Sequence, residues 1–192
     1  MKRVIIVHGW DGSPEEPMHR WLKKKLEEKE FNVTAPKMPH PGTPEINSWV
    51  GKLNEVIKNP NKETYLIGHS IGCQTILRYL ERLDLNIKIG GVVLIAPFMH
   101  LDKKRLEEEG TLEIARQWIE KEINFNKVIV HTNKFVSIFS DNDPFVSLKE
   151  KEIFKERLNS NIIIEHNKGH FDPSSNIKEL PSALKSLLQI SK

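Results

Sequence analysis

The chain of 192 residues has a single cysteine, Cys73, and few aromatic residues, which make up 7% of it. One cysteine cannot form an internal disulfide, and this excludes the disulfide-stapled class of small secreted domains. No apolar run approaches the roughly 18 residues that a membrane-spanning helix needs. The run Val4–Val7 ends at His8, which is too short for the core of a signal peptide. We therefore expect a cytoplasmic protein with no membrane partner.

A large excess of charge of one sign is also lacking, because 29 basic and 26 acidic residues give a formal net charge of +3. Lysine and glutamate are interleaved, as in residues 23–30, and this pattern is typical of solvated helix faces. Nucleic-acid-binding proteins concentrate basic residues on one face, so we expect no nucleic-acid partner. With 38% hydrophobic residues the chain can bury one sizeable core. The sequence predicts one domain over residues 1–192.

Short apolar runs of the kind found in buried strands alternate with helical patterns along the chain. The six runs are Val4–Val7, Phe31–Ala35, Tyr65–Ile67, Gly91–Ala96, Phe135–Phe139 and Asn161–Glu165. The clearest helical pattern lies over residues 46–57, where apolar residues recur at intervals of three and four. This alternation predicts a doubly wound parallel sheet. The mostly charged segment 98–132 interrupts it, and we interpret that segment as a small cap-like insertion.

The third strand leads into the motif G-x-S-x-G at residues 68–72, and a helical pattern follows at once. Such a strand-turn-helix places the central serine, Ser70, in a strained conformation with positive φ, and the flanking glycines let strand and helix approach closely. Free N–H groups at the start of the helix would meet negative charge that forms beside the serine. The motif predicts a nucleophile elbow.

A serine nucleophile needs a base, and the base needs an acid that orients it. Asp141 and Asp143 follow the fifth strand, whereas His166 and His170 follow the sixth, so acid and base come after the serine in the order typical of α/β-hydrolases. His166 directly follows its strand, but Gly169 gives His170 a flexible, exposed loop, so we favour His170 as the base. Either aspartate satisfies the chain order.

These motifs resemble the small serine hydrolases that include retinoblastoma-binding protein 9 and the bacterial YdeN-like proteins. The resemblance covers nearly the whole chain and rests on His8-Gly9, the 68–72 motif, residues 141–145, residues 169–171 and the compact length. It implies an α/β fold of the minimal α/β-hydrolase type, a three-layer sandwich with a mostly parallel six-stranded sheet of order 2-1-3-4-5-6. It also implies a catalytic triad of Ser70, Asp143 and His170, because Asp-Pro at 143–144 matches the family pattern.

In this fold the oxyanion hole combines the N–H after the nucleophile with one from the loop after the first strand. By position, these donors are Ile71 and Trp10. His8 and His69 are expected to brace these loops through hydrogen bonds, and Cys73 is expected to pack in the core.

Several aromatic residues near strand ends are candidates to line an acyl-binding pocket beside Trp10. They are Phe98, Trp118, Phe145 and Phe171. We expect no cofactor and no metal ion. His166 and His170 have i,i+4 spacing, but Gly169 argues against a helix there, and no carboxylate motif accompanies them.

The sequence thus predicts a carboxylesterase-like serine hydrolase that cleaves a small ester or amide through an acyl-enzyme. The alternatives are a protein-binding module on a hydrolase fold with little turnover, and an acyltransferase. The L-x-C-x-E element associated with retinoblastoma binding is missing, since the only cysteine lies in the sequence I-G-C-Q-T. A protein partner is therefore not indicated.

Overall fold

The computed structural model describes all residues, 1–192, and its centre is a six-stranded sheet. The strands are β1 Arg3–Val7, β2 Asn32–Thr34, β3 Thr64–His69, β4 Gly91–Ile95, β5 Phe135–Ser140 and β6 Asn161–Glu165. Their order is β2-β1-β3-β4-β5-β6, and every neighbouring pair is parallel. The predicted order is confirmed. The prediction of a mostly parallel sheet is met by one that is parallel throughout.

Eight α-helices and one short 3₁₀ helix, Pro173–Ser175, accompany the sheet. The α-helices are α1 Pro17–Glu27, α2 Ile46–Val56, α3 Ile71–Glu81, α4 Lys103–Glu108, α5 Leu112–Glu120, α6 Phe125–Ile129, α7 Glu150–Leu158 and α8 Pro181–Ile190. None of the helices combines the length and apolar character that crossing a membrane requires.

The helices cover both faces of the sheet, and each face has its own apolar cluster. A cluster of 27 buried residues joins one face to α2, α3, α5, α6 and α7, and a cluster of 18 joins the other face to α1 and α8. Successive residues of β1 alternate between the two, with Val4 and Ile6 in one and Ile5 and Val7 in the other. Burial on both faces explains why the inner strands are continuous apolar runs.

The segment between β4 and β5 folds into three short helices, α4 to α6. Its firmest attachment is Arg78 of α3, a nearly inaccessible residue whose Nη2 donates to the carbonyl oxygens of Trp118 at 3.1 Å and Lys121 at 2.6 Å. The same nitrogen also donates to Gln74 Oε1 at 3.0 Å. The end of α5 is therefore fixed to the helix that follows the nucleophile elbow.

Candidate active site

Ser70 lies between β3 and α3, and its backbone has φ 52° and ψ −121°. The positive φ is the strained conformation that the sequence predicts. The turn is tight enough to require glycine on both sides. A Cβ on Gly68 would lie 2.8 Å from the backbone nitrogen of Cys73, and one on Gly72 would lie 2.7 Å from the carbonyl oxygen of His8. The Ser70 N–H donates to the Ile95 carbonyl oxygen at 2.8 Å, which ties the turn to β4.

His170 lies in the loop after β6, and its ring bridges two side chains. Its Nε2 is 2.9 Å from Ser70 Oγ, and its Nδ1 is 2.8 Å from Asp143 Oδ2. A carboxylate only accepts hydrogen bonds, so Nδ1 carries the proton and Nε2 presents its lone pair to the serine hydroxyl. A hydrogen bond to the backbone also holds this loop, because Ser175 Oγ accepts the His170 N–H at 3.0 Å. Nε2 is thus oriented to take the proton of Ser70.

Asp143 lies in the loop after β5, and its side chain is almost fully buried. Its Oδ1 accepts the backbone N–H groups of Phe145 at 2.8 Å and Val146 at 3.0 Å, while Oδ2 accepts from His170. Hydrogen bonds of this kind favour the charged carboxylate and fix its orientation. Asp143 can therefore orient the imidazole ring and stabilise its protonated form.

The two competing residues form a separate pair on the surface. His166 Nδ1 is 2.6 Å from Asp141 Oδ2, and the Asn167 N–H donates to Asp141 Oδ1 at 2.9 Å. The hydrogen bond from Asn167, together with His166, lowers the pKa of Asp141. The His166 side chain is 79% exposed, and neither residue contacts Ser70. This pair connects the two loops at their outer side.

Asn142 is a structural residue of the site that the sequence analysis missed, although it stands between the two aspartates. Its Oδ1 accepts the Gly169 N–H and the Ser140 hydroxyl, each at 2.8 Å. Gly169 has φ 52°, and a side chain there would collide with Ser175. Asn142 thereby fixes the loop of His170 relative to the loop of Asp143.

The two expected oxyanion donors come from the two segments that adjoin Ser70. Ile71 is the first residue of α3, where backbone N–H groups have no acceptor within the helix. Trp10 lies in the loop after β1, and its backbone N–H has no hydrogen-bond acceptor in the protein, while its indole Nε1 donates to Gly42 at 3.0 Å. A Cβ on Gly9 would lie 3.3 Å from Ser70 Cβ, so this loop passes directly against the serine.

His8 and His69 hold backbone groups, as the sequence analysis expects. His8 Nε2 accepts the Met38 N–H at 3.0 Å, and its Nδ1 donates to the Gly9 carbonyl oxygen at 2.8 Å. His69 Nε2 donates to the carbonyl oxygen of His170 at 2.7 Å. Burial lowers the pKa of both rings, so both are neutral at pH 7. His69 thus positions the backbone of His170 without a hydrogen bond to the Ser70 hydroxyl.

Cys73 is fully buried, and its Sγ donates to the carbonyl oxygen of Ile95 at 3.3 Å. Burial raises the pKa of the thiol far above neutral pH. A thiol without thiolate character is a poor nucleophile, so Cys73 packs as expected.

A cavity of about 610 Å³ opens over Ser70 and His170. Its apolar lining comprises Trp10, Ile71, Phe98, Leu101, Leu106 and Phe145. The two leucines belong to the segment of α4, and sequence patterns alone did not mark them. The polar lining of the cavity includes Glu16, His69 and Asp172. The cavity therefore has room for an apolar acyl group beside the serine.

Two of the four predicted pocket residues lie elsewhere, which corrects the sequence analysis. Trp118 packs edge-on against Trp49 with ring centroids 6.0 Å apart, and its indole N–H donates to Pro44 at 3.0 Å. Phe171 is fully buried in the cluster beneath α1 and α8. Phe98 and Phe145 do line the cavity, and the Phe145 ring lies edge-on to His170 at 5.1 Å. A position near a strand end does not fix which way an aromatic ring points.

A six-stranded parallel sheet with an elbow serine, an aspartate and a histidine at its carboxyl edge defines the α/β-hydrolase class. The family model described as "Serine hydrolase" matches residues 4–189. The chain belongs to this serine hydrolase family, as the resemblance in its motifs implies.

Two known proteins illustrate the relationship. The YdeN protein of Bacillus subtilis (strain 168) is 28% identical over 180 residues, which cover 94% of this chain and 91% of YdeN. Its crystal structure superposes with a TM-score of 0.89 at 26% identity, covering 99% of this chain and 98% of that one. Serine hydrolase RBBP9 of Rattus norvegicus is 25% identical over 185 residues, covering 96% and 89% of the two chains.

A structure described among carboxylesterases of the thaumarchaeon Nitrososphaera gargenis has a TM-score of 0.74 at 15% identity. It covers 99% of this chain and 90% of its own. At that identity the likeness concerns the fold alone. The α/β-hydrolase fold is thus shared with proteins described as esterases.

Proposed function

We propose that this serine hydrolase cleaves small carboxylic esters or amides, with Ser70 as nucleophile, His170 as base and Asp143 as the orienting acid. The observation that carries the proposal is the continuous hydrogen-bond chain from Asp143 through His170 to Ser70 at the floor of an apolar cavity. If His170 served only for packing, its two ring nitrogens would not need hydrogen bonds to an aspartate on one side and a serine on the other. The single buried cysteine is consistent with action in the cytoplasm.

In the first half-reaction, His170 Nε2 takes the proton of Ser70 as the serine oxygen attacks the carbonyl carbon of the substrate. The oxyanion that forms accepts hydrogen bonds from the backbone N–H groups of Trp10 and Ile71. His170 then gives its proton to the departing alcohol or amine, and the acyl group remains on Ser70. Asp143 stabilises the imidazolium ion while it exists.

In the second half-reaction, His170 removes a proton from water as the water oxygen attacks the acyl carbon, and His170 then returns this proton to Ser70 Oγ as the carboxylic acid leaves. Each oxyanion donor is expected to contribute about 10²–10³-fold to kcat. An acceptor alcohol in place of water would give acyl transfer with the same residues.

Labelling with a fluorophosphonate, which reacts with activated serines, tests the proposal. Wild-type protein is expected to react at one site, whereas Ser70→Ala is expected not to react and to keep the wild-type circular-dichroism spectrum. Ser48→Ala, on the outer surface of α2, is the matched control and should label like wild type. Failure of folded wild-type protein to label would contradict the proposal and favour the protein-binding function.

A further inference from the structure

A second group of chemically active side chains lies beside the triad and takes no part in the proposed reaction. Glu16, His19 and His69 each place one potential ligand atom within 4.8 Å of the others. Glu16 is the N-cap of α1, and His19 lies one turn further along the same helix. His69 is the last residue of β3, next to Ser70. The cluster therefore forms where α1 packs on the end of the central strand.

Hydrogen bonds fix the proton positions on both histidine rings. His19 Nδ1 is 3.2 Å from the Ser13 carbonyl oxygen, and His69 Nε2 is 2.7 Å from the His170 carbonyl oxygen. A carbonyl oxygen only accepts, so these two nitrogens carry the protons. The lone pairs lie on His19 Nε2 and His69 Nδ1, and no protein group makes a hydrogen bond to either atom.

Both rings are buried, with 0% of His19 and 3% of His69 exposed. An unsatisfied buried acceptor is costly, so two of them within one cluster indicate a ligand that accepts electron pairs. Histidines that bind metal ions typically donate their other ring N–H to a backbone carbonyl or a carboxylate, and both of these do so. Neutral imidazole and carboxylate are also ligand types that zinc prefers.

We propose that Glu16, His19 and His69 bind a divalent transition-metal ion of the zinc type. Glu16 lies beside His19, because its Oε1 accepts the Ser13 N–H at 3.0 Å and its Oε2 lies 3.5 Å from His19 Nδ1, and it must turn its carboxylate toward His19 Nε2 to bind the ion. Ligand atoms around tetrahedral zinc stand about 3.4 Å apart when its bonds are about 2.1 Å long. Rotation of the Glu16 side chain, which has three rotatable bonds, brings its carboxylate oxygen to this distance from the histidine nitrogens.

The ion has a route to this site. Glu16 and His69 line the cavity over Ser70, which is open to solvent. Three protein ligands leave a fourth position of a tetrahedral ion for a further ligand. The fourth ligand is water or a small anionic group. The inference does not depend on hydrolysis by Ser70, since binding is measured without substrate.

The test is a titration of metal-free protein with Co²⁺, followed by its visible absorption, and displacement of the cobalt by Zn²⁺. Wild-type protein is expected to bind one ion per chain. His19→Gln is expected to weaken binding by about 100-fold or more, since even the outer partners of metal ligands are worth about 10- to 100-fold. Zn²⁺ should also raise the Tm of wild type, because it binds only the folded chain, and should not raise the Tm of the variant.

Two control variants separate this site from other histidines. His131 is also buried, with Nδ1 2.8 Å from the Ile87 carbonyl oxygen and Nε2 without a partner, but it belongs to no such cluster. His166→Gln removes the exposed pair with Asp141. Both His131→Gln and His166→Gln are expected to bind the ion like wild type.

Wild-type protein that binds no ion at one-to-one stoichiometry would overturn the proposal, because the two lone pairs would then be hydrogen-bonded by water. Equal binding by wild type and His19→Gln would also overturn it. If His19→Gln does not fold, Glu16→Gln provides the same comparison, since a glutamine oxygen can still accept the Ser13 N–H. Loss of binding in Glu16→Gln supports the site, and unchanged binding contradicts it.

Discussion

Replacing Gly72 by alanine should disturb the nucleophile without touching any group that takes part in the chemistry. Gly72 lies in the first turn of α3, where the helix crosses the end of β1. A Cβ there would lie 2.7 Å from the carbonyl oxygen of His8 and closer still to that of Val7. Both neighbours are backbone atoms, so no side-chain rotation can relieve the contact.

The size of the effect follows from the distance. Ordinary contact begins at about 3.4 Å, so the His8 oxygen alone requires helix and strand to separate by about 0.7 Å. Such overpacking typically lowers the free energy of unfolding by about 1–3 kcal/mol, and we expect the upper end because the atoms belong to the backbone. Misplacement of a reacting group by about 1 Å can cost about 10²-fold in rate. We therefore expect kcat/KM to fall by about 10- to 100-fold.

The assay combines thermal unfolding with hydrolysis of a p-nitrophenyl ester of a short acid. Gly51→Ala is the matched control, because Gly51 lies in α2 and a Cβ added there would have no neighbouring atom within 4 Å. That substitution should raise the free energy of unfolding by about 0.5–1 kcal/mol and leave kcat/KM unchanged. If Gly72→Ala has the Tm and kcat/KM of wild type, a Cβ at position 72 does not force the helix and the strand apart, and the prediction is refuted.

Two further predictions concern the acid and the thiol. Asp143→Asn is expected to lower kcat by about 10⁴-fold, because asparagine can hold His170 in the wrong tautomer. Asp141→Asn should leave kcat nearly unchanged. Steady-state kinetics of both variants test this, and a larger loss in Asp141→Asn would assign the role of the acid to Asp141. Cys73 in native protein is expected not to react with an aromatic disulfide reagent at pH 7 and to react fully in denaturant, since burial raises its pKa; rapid reaction of folded protein would contradict this.

Strand positions and the elbow follow from short-range features that the sequence displays directly. The predicted run Asn161–Glu165 coincides with β6, because a run of three isoleucines with polar residues on both sides delimits it. Ser70, Asp143 and His170 meet because the carboxyl ends of parallel strands share one edge of the sheet. Chain order and strand topology were sufficient to predict that these loops meet, whereas the choice of Asp143 rested on the resemblance to the family and the choice of His170 rested on the neighbouring Gly169.

Contacts that depend on how helices pack were not predictable in the same way. Trp118 and Phe171 are aromatic, as the residues of an apolar pocket often are. The packing of their segments nevertheless buries both side chains away from the cavity. His19 and His69 are 50 positions apart, and only the packing of α1 against the end of β3 brings their rings to a centroid distance of 5.8 Å. The i,i+3 spacing of Glu16 and His19 was the one local indication of that cluster.

The attachment of the segment between β4 and β5 has a consequence for how substrate range can diverge among relatives. Arg78 fixes the end of α5 through buried hydrogen bonds, whereas α4 is held by surface contacts such as Arg105 stacked 4.2 Å over Phe145. Leu101 and Leu106 supply part of the cavity wall from this portion of the chain. Substitutions in residues 101–111 are therefore expected to reshape the cavity while the Arg78 hydrogen bonds keep α5 on the helix that follows Ser70.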